Sequence, residues 1–521
     1  MRREKMIQNI SPEKTNWDVI IIGGGATGIG TAVESATRGY KTLLLEQSDF
    51  TKSTSSKSTK LVHGGVRYLA QGDVSLVLEA LRERGLLRRN APHLVKNQEF
   101  IIPNYEWWGG PYYYVGLTLY NMLAGKLSLG KSKHASKRQT VKLLPTVNQK
   151  GLHSGVTYYD GQFDDSRLAI NLLQTFEDNG GTAINYFPVT GLIKDQNGKV
   201  KGVKAKDLES SKEYELKGSV IINATGVFVD DVIRMDDPKA EDMVRVSQGI
   251  HLMLGKEFFP GDTAVMIPKT DDGRVLFAVP WHNQVVVGTT DALIEKPSLE
   301  PKAVDKEVNF ILETAGRYLT RKPKRSDVLS VFVGLRPLAK PKGDSKKTKE
   351  ISRRHKLVVS DSGLVTITGG KWTTYRQMSE ETVDEAAKVG SLPSVRSVTK
   401  DLKIHGSSKT HEFSNPLYFY GADLPKVMNL IDEDPSLGEK ISKQFDYIKA
   451  QIVWAVREEM ARNIEDFLAR RVRMLLLDAR ESVKVAPIVA EVMAKELGKD
   501  KKWEEEQVRS YAELAKVYLL D

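Results

Sequence analysis

Residues 16 to 50, NWDVIIIGGGATGIGTAVESATRGYKTLLLEQSDF, constrain the fold more than any other stretch of this chain. Val19 to Ile22 form a short β-branched run closed by glycine, the pattern of a strand buried on both faces in a parallel sheet. Gly23, Gly25 and Gly28 follow in GxGxxG spacing. The first permits a tight turn, the second lets a pyrophosphate approach the backbone, and the third lets a helix pack on the strand. The next segment, IGTAVESATRG, reads as a helix stopped by Gly39, with its N-terminal amides forming an anion site. KTLLLE is then a second strand ending in Glu46, an acid placed to hold ribose hydroxyls. Strand, loop, helix, strand and acid in this order imply an adenine dinucleotide, NAD or FAD.

Two later segments favour FAD. GSVIINATGVFVD, 218 to 230, is an apolar strand ending in the small-residue turn Ala224-Thr225-Gly226, suited to a second close approach to a dinucleotide. GLVTITGGKWTTYRQMSEETVDEAA, 363 to 387, repeats strand, double glycine and helix. A helix N-terminus there would present its positive dipole to the edge of a flavin where negative charge appears on reduction. Each turn, taken alone, also reads as an ordinary βα connection.

A chain of 521 residues exceeds what one hydrophobic core supports, so more than one structural unit is expected. Strand-like runs GIHLML, TAVMIP, RVLFAVP and QVVVGTTD imply an antiparallel sheet between 249 and 291. In GDVSLVLEALRERGLLRRN, Val74, Val77, Leu78 and Leu81 recur at helical spacing behind a candidate N-cap, Asp73. The aromatic stretch that begins at Trp107 and Trp108 is expected to pack inside the substrate domain, with a membrane interface as the alternative. Beyond about 395 the chain reads as helical. Val453, Val456, Met460, Ile464 and Phe467 form one face there, and Arg470, Arg471 and Arg473 are expected on a solvated one. The expected division is 17–97, 154–245 and 331–395 for the dinucleotide, 98–153 and 246–330 for substrate, and 396–521 as a helical domain.

The absence of cysteine excludes disulfides, thiolate metal sites, iron–sulfur clusters and a cysteinyl flavin bond, and fits a reducing cytoplasm. No metal site or ATPase motif is found. No apolar run is long enough to span a membrane, and the basic N-terminus lacks the apolar core of a secretory signal. The net charge of +10 fits nucleic acid, an anionic membrane surface or small anionic substrates. Its densest run lies at 340–356 and also reads as a solvated loop.

The blocks IIGGGATGIG, TSSKSTKLVHGGVRYL, YYDGQFDDSRL, NATG, VGTTDA, VGLRPL and TGGKWTTYR, in this order, resemble the flavin-linked, membrane-associated glycerol-3-phosphate dehydrogenases of the D-amino-acid-oxidase-like superfamily. The resemblance covers roughly 18 to 390. It implies an α/β chain with a Rossmann-like FAD-binding domain, an antiparallel-sheet substrate domain and a C-terminal helical domain. It also implies FAD contacts at Gly23, Gly25, Ala26, Thr27, Gly28, Glu46, Gln47, Ser58, Thr59, Lys60, Leu61, His63, Gly64, Gly65, Ala224, Thr225, Gly226, Gly369, Gly370 and Thr373. Gly64 and Gly65 would let backbone lie against the flavin. Lys57 and Trp372 depart from the family pattern and are expected away from the chemistry.

The reaction implied is FAD-dependent oxidation of sn-glycerol 3-phosphate to dihydroxyacetone phosphate, with C2 hydride passing to flavin N5 and electrons to a membrane quinone. Arginine suits a dianionic phosphate because its planar fork binds two oxygens and keeps its charge. By family position the substrate residues are Arg67, Tyr68, Arg336, Arg353 and Lys371. Arg336 is a poor proton acceptor and would stabilise a developing alkoxide. His251 is the first choice of base and His63 the second. His251 also reads as an inward hydrogen-bonded residue, His63 as a brace for its loop, and Lys371 as a surface cation. The alternatives are a glycerophosphate oxidase using oxygen, and an amine or amino-acid oxidase of the same fold. The expected location is cytoplasmic and peripheral on the inner face of the cell membrane, with a possible homodimer and no nucleic-acid partner.

Overall fold

The computed structural model describes residues 1–10, 16–70, 72–268, 270, 273–340, 355–410 and 412–520, without the side chains of residues 67 and 70. Arg353 and most of the basic run 340–356 lie outside the described residues.

Strand Asn16–Ile22 sits at the centre of the first sheet, parallel to Thr42–Leu45 on one side and to Glu213–Asn223 on the other. Val19, Ile20 and Ile21 are completely buried, as a continuous apolar run in a doubly covered parallel sheet must be. Thr182–Ile184 extends one edge and Val365–Thr368 the other. Helix Ala26–Thr37 leaves the first strand through Gly23, whose φ of +109° suits a residue without a side chain. A Cβ at Gly28 would collide with the Gly23 carbonyl oxygen, so the third glycine of the fingerprint sets how closely helix and strand pack.

The second sheet is built around strand Val244–Gly255, antiparallel to Gln284–Gly288 and to Val328–Ala339. Ile250, Leu252 and Leu254 face one side, packing with Val308, Ile311 and Ala315 of helix Asp305–Tyr318. Met253 joins Trp281 and Phe332 in a different core, shared with the C-terminal helices. The two-residue period of a strand thus separates His251 from its apolar neighbours and sends it to the Phe332 side.

Sheet membership departs from the division read in the sequence. Strands Ser154–Phe163 and Val328–Ala339, assigned largely to the dinucleotide domain, belong to the second sheet, paired with Val95–Asn104 and Val244–Gly255. Alternation and composition show that a segment is a strand, whereas its pairing partner is chosen by long-range contacts.

The C-terminal region is helical, but its long apolar pattern is broken. Helix Lys449–Glu459 stops at Met460 in the left-handed region, a π-helical turn covers Asp466–Arg471, and Arg473 is left-handed again. Arg470, Arg471 and Arg473, expected on a solvated face, are buried. Arg470 Nε and Arg471 Nη1 donate to Asp49 Oδ2 at 2.5 and 2.8 Å, and Arg473 Nη2 donates to Asp165 Oδ1 at 2.9 Å. The aromatic stretch also departs from expectation, with Trp107, Trp108 and Tyr112 on the surface. Helix Val74–Asn90 is capped by Asp73 as expected, and Val77 and Leu81 are buried while Val74 and Leu78 are exposed.

Candidate active site

The fingerprint loop opens on a cleft. Gly23, Gly25, Ala26, Thr27, Glu46 and Gln47 line one wall, and Ala224, Thr225, Gly226, Gly369 and Gly370 line the other. Glu46 accepts from the Gly24 amide at 2.6 Å and the Ser48 amide at 2.9 Å, which holds the carboxylate at the strand end. Burial pushes its pKa up, partly offset by those two amides.

Residues 51 to 55 also line this cleft, although the sequence reading passes over them in favour of 58 to 61. The Ala26 amide at the start of the fingerprint helix donates to Ser55 Oγ at 2.9 Å. Ser55 therefore stands where an anion would meet the helix N-terminus, and the Ser/Thr richness of TKSTSSKSTK is the signal that could have found it. Trp372 also lines the cleft, contrary to expectation, and its indole donates to the Ser55 carbonyl at 2.9 Å.

The cleft continues into a second cavity through shared walls at Thr54, Pro337, Gly370, Lys371 and Trp372. Lys57, Ser58 and Thr373 line this cavity, so Lys57 is likewise at the site. A third cavity adjoins through Thr59, Leu61, His63, Tyr68 and Arg336. Fingerprint loop, His63 segment and Arg336 strand thereby border one continuous space.

Arg336 stands opposite Ser247 on the strand beside His251. Its Nη2 donates to Thr289 Oγ1 at 3.0 Å and to the Thr290 carbonyl at 3.1 Å, and Nη1 lies 3.3 Å from Asp291 Oδ1. These contacts fix the guanidinium at the cavity wall. Lys371 precedes the turn Trp372–Thr374 and helix Tyr375–Val389, with Nζ 3.9 Å from the centre of the Tyr68 ring. Arg274, which the sequence reading omits, lines the third cavity. The carboxylates that reach this cavity are engaged: Asp160 by Arg84 at 2.7 Å and Tyr120 at 2.8 Å, and Asp291 by Arg336.

His251 is 2% exposed and stacks on Phe332, with ring centroids 4.8 Å apart. Its Nε2 lies 2.9 Å from Thr59 Oγ1. Burial, reinforced by the positive charges of Arg336 and Lys60, holds its pKa well below the usual imidazole value. His251 thus orients Thr59 and lines the second cavity. His63 lines both inner cavities.

Other sequence-predicted residues fall elsewhere. Lys60 points away from the cavities into the protein, bonded to the Ser56 carbonyl and Asp165 Oδ2 at 2.7 Å each. Burial and Arg473, opposed by Asp165, lower its pKa to about 7. Gly64 packs against Leu81 and Tyr120, and its amide donates to Tyr120 Oη at 2.7 Å, so helix packing sets its size. Gly65 does line the third cavity. Gly28 acts beneath the loop, through helix packing. The side chain of Arg67 and all of Arg353 lie outside the description.

The long cleft, the glycine turn at the helix N-terminus and the acid at the second strand end fit FAD. A family model described as FAD dependent oxidoreductase matches residues 18–376, and one described as C-terminal domain of alpha-glycerophosphate oxidase matches 364–506. The mitochondrial glycerol-3-phosphate dehydrogenase of Schizosaccharomyces pombe is 36% identical, across 99% of this chain and 89% of that protein. Its counterpart in Homo sapiens is 35% identical, across 97% and 73%. The crystal structure of glycerol-3-phosphate dehydrogenase from Bacillus halodurans, complexed with FAD, superposes with a TM-score of 0.79 at 26% identity, covering 99% of this chain and 97% of that one. By fold, by family model and by identity along almost its whole length, the chain belongs to the FAD-dependent glycerol-3-phosphate dehydrogenases.

Proposed function

We propose that this protein oxidises sn-glycerol 3-phosphate to dihydroxyacetone phosphate, working at the inner face of the cell membrane as a peripheral enzyme. The observation that carries the reading is the convergence of Arg336, Lys371 with Tyr68, His63 and the Thr59–His251 pair on a space continuous with the glycine-lined cleft. What FAD supplies when bound is a two-electron acceptor, the C2 hydride passing to flavin N5 and the electrons onward to a membrane quinone.

The chain's own residues divide the remaining work. Gly23, Gly25, Ala26, Ser55 and Thr225 receive the pyrophosphate region, and Glu46 the ribose. Lys371, with Arg274 on the wall of the adjoining cavity, draws the phosphate, because a dianion leaving water needs fixed cations. Arg336 keeps its charge at any working pH and balances the substrate oxygen as its proton leaves. His63 takes that proton, and Thr59, held by His251, orients the hydroxyl that gives it up.

The test is an anaerobic spectrum of the yellow protein. Glycerol 3-phosphate should bleach the flavin and glycerol should not; bleaching by both, or by neither, overturns the reading. A second reading has oxygen as the acceptor, favoured by the match of residues 364–506 to the oxidase C-terminal domain. Reoxidation of the reduced protein by a quinone analogue faster than by oxygen separates the two.

A further inference from the structure

Residues 51–55 and 57–59 form one wall of the cofactor cleft and of the cavity that continues it. Within this wall Ser55 meets the fingerprint helix and Thr59 meets His251. The wall contains a 3-10 turn, Thr54–Ser56, but no strand or α-helix, so its shape depends on what its side chains and carbonyls are bonded to.

The C-terminal helical region anchors it at successive points. Glu465 Oε2 accepts from Lys52 Nζ at 2.6 Å. Arg473 Nη2 donates to the Ser56 carbonyl at 2.6 Å and to Asp165 Oδ1 at 2.9 Å. The other oxygen of Asp165 accepts from Ser58 Oγ at 2.6 Å and Lys60 Nζ at 2.7 Å, so Arg473 and Asp165 together grip Ser56, Ser58 and Lys60. Tyr518 Oη donates to Glu300 Oε2 at 2.7 Å, and the same oxygen accepts from Lys57 Nζ at 2.8 Å. Arg473, Asp165 and Lys60 are buried, where hydrogen bonds of charged groups are strong because water does not compete for them. Arg473 has a φ of +68°, just past the π-helical turn Asp466–Arg471. Strain of this kind persists where surrounding contacts over-determine a residue, and it clusters at functional sites. Yet among the described residues none beyond Thr373 lines the cleft or the two cavities that continue it.

We propose that Arg473, with Glu465 and Tyr518, positions the FAD-facing wall, so that the helical C-terminal region governs how firmly the protein retains FAD. A wall already fixed binds without a further ordering cost, whereas a loosened wall must be ordered by FAD itself, which weakens binding. Linkage makes the effect reciprocal: FAD in the cleft steadies residues 465–473, although none of them lines it. The inference rests on FAD as the cofactor and not on the reaction proposed above.

The test follows FAD release from the diluted full-length holoenzyme, read as the rise of free-flavin fluorescence, together with hydrogen exchange before and after FAD removal. Arg473→Met should release FAD at least about tenfold faster, the loss of a charge-assisted bond, and Arg473→Lys should recover part of this. Glu465→Gln and Tyr518→Phe should each speed release by about threefold, as single anchors among several. Excess FAD should restore kcat in these variants, with KM for glycerol 3-phosphate unchanged. Removing FAD from the wild type should speed exchange at both 51–60 and 465–473. A control, Asp423→Asn, cuts a bond to His405 outside the cleft and should lower Tm while keeping wild-type FAD release. Release at the wild-type rate from the Glu465 and Tyr518 variants, equally fast release from the control, or exchange at 465–473 indifferent to FAD would overturn the proposal. If Arg473→Met does not fold, the Glu465 and Tyr518 variants decide. Failure of glycerol 3-phosphate to bleach the flavin would strike the reaction alone, since FAD release is measured without substrate.

Discussion

At Arg336, charge and anchoring act together: the 289–291 turn holds the guanidinium at the cavity wall while the side chain remains 22% exposed. Arg336→Ala should lower kcat/KM for glycerol 3-phosphate by about 10- to 100-fold, the loss of a charge-assisted hydrogen bond to the developing charge, and Arg336→Lys should recover only part of it. Steady-state kinetics measures both. His251 yields a pH prediction. Because its pKa lies well below the usual imidazole value, it is already neutral where the enzyme works. His251→Gln should therefore lower kcat without moving the acidic limb of the kcat/KM profile. Arg336 and Lys371 were legible because the motifs around them carry the family resemblance. Ser55 was marked only by the Ser/Thr richness of its run, and Trp372 and Arg274 were not legible, since each reaches the site through contacts with segments distant in sequence.

Among the elements, the strand, turn and helix from Asn16 to Thr37 was the most legible, because its requirements are local. Gly23 shows how strict they are: its φ is +109°, and a Cβ there would meet the Ala224 carbonyl oxygen at 2.7 Å. Gly23→Ala should yield protein with little bound flavin, read as flavin absorbance per chain, and a lowered Tm, since strained backbone costs about 1–3 kcal/mol before the collision is counted. The helix from Val74 to Asn90 was legible at its start, where Asp73 accepts from the Leu76 amide at 3.2 Å. Asp73→Ala should cost about 0.5–2 kcal/mol in chemical denaturation. Strand pairing was not legible: Ser154–Phe163, expected within the dinucleotide domain, pairs with Val95–Asn104 in the second sheet.

Across the whole molecule, charged pairs between distant segments join the helical C-terminal region to the FAD-binding body. Asp49 and Arg470 are 421 residues apart, yet both are buried and bonded. Burial alone would raise the Asp49 pKa; Arg471 and Arg470 override it and hold it at about 2. Asp49→Ala leaves two buried guanidiniums without their shared partner and should destabilise the protein by about 3–5 kcal/mol in denaturant titration. A second clasp sets His405 between Asp178 and Asp423, at 2.6 Å from each. Against the lowering effect of burial, the two aspartates raise the His405 pKa above 6.5, so its contribution is complete below pH 6.5 and is lost as pH rises through the folded value. Asp423, lowered to about 2, contributes above pH 3.8 and loses this as pH falls toward 2. Tm measured against pH should show a loss above neutrality that His405→Gln abolishes. The amino-acid order alone determined the dinucleotide fold, the cofactor and the cationic character of the site, because glycine spacing, strand periodicity and residue charge act over a few neighbours. Tertiary structure alone decided that three closely spaced arginines lie in the interior and that an aromatic helix lies outside, because burial depends on segments hundreds of residues away.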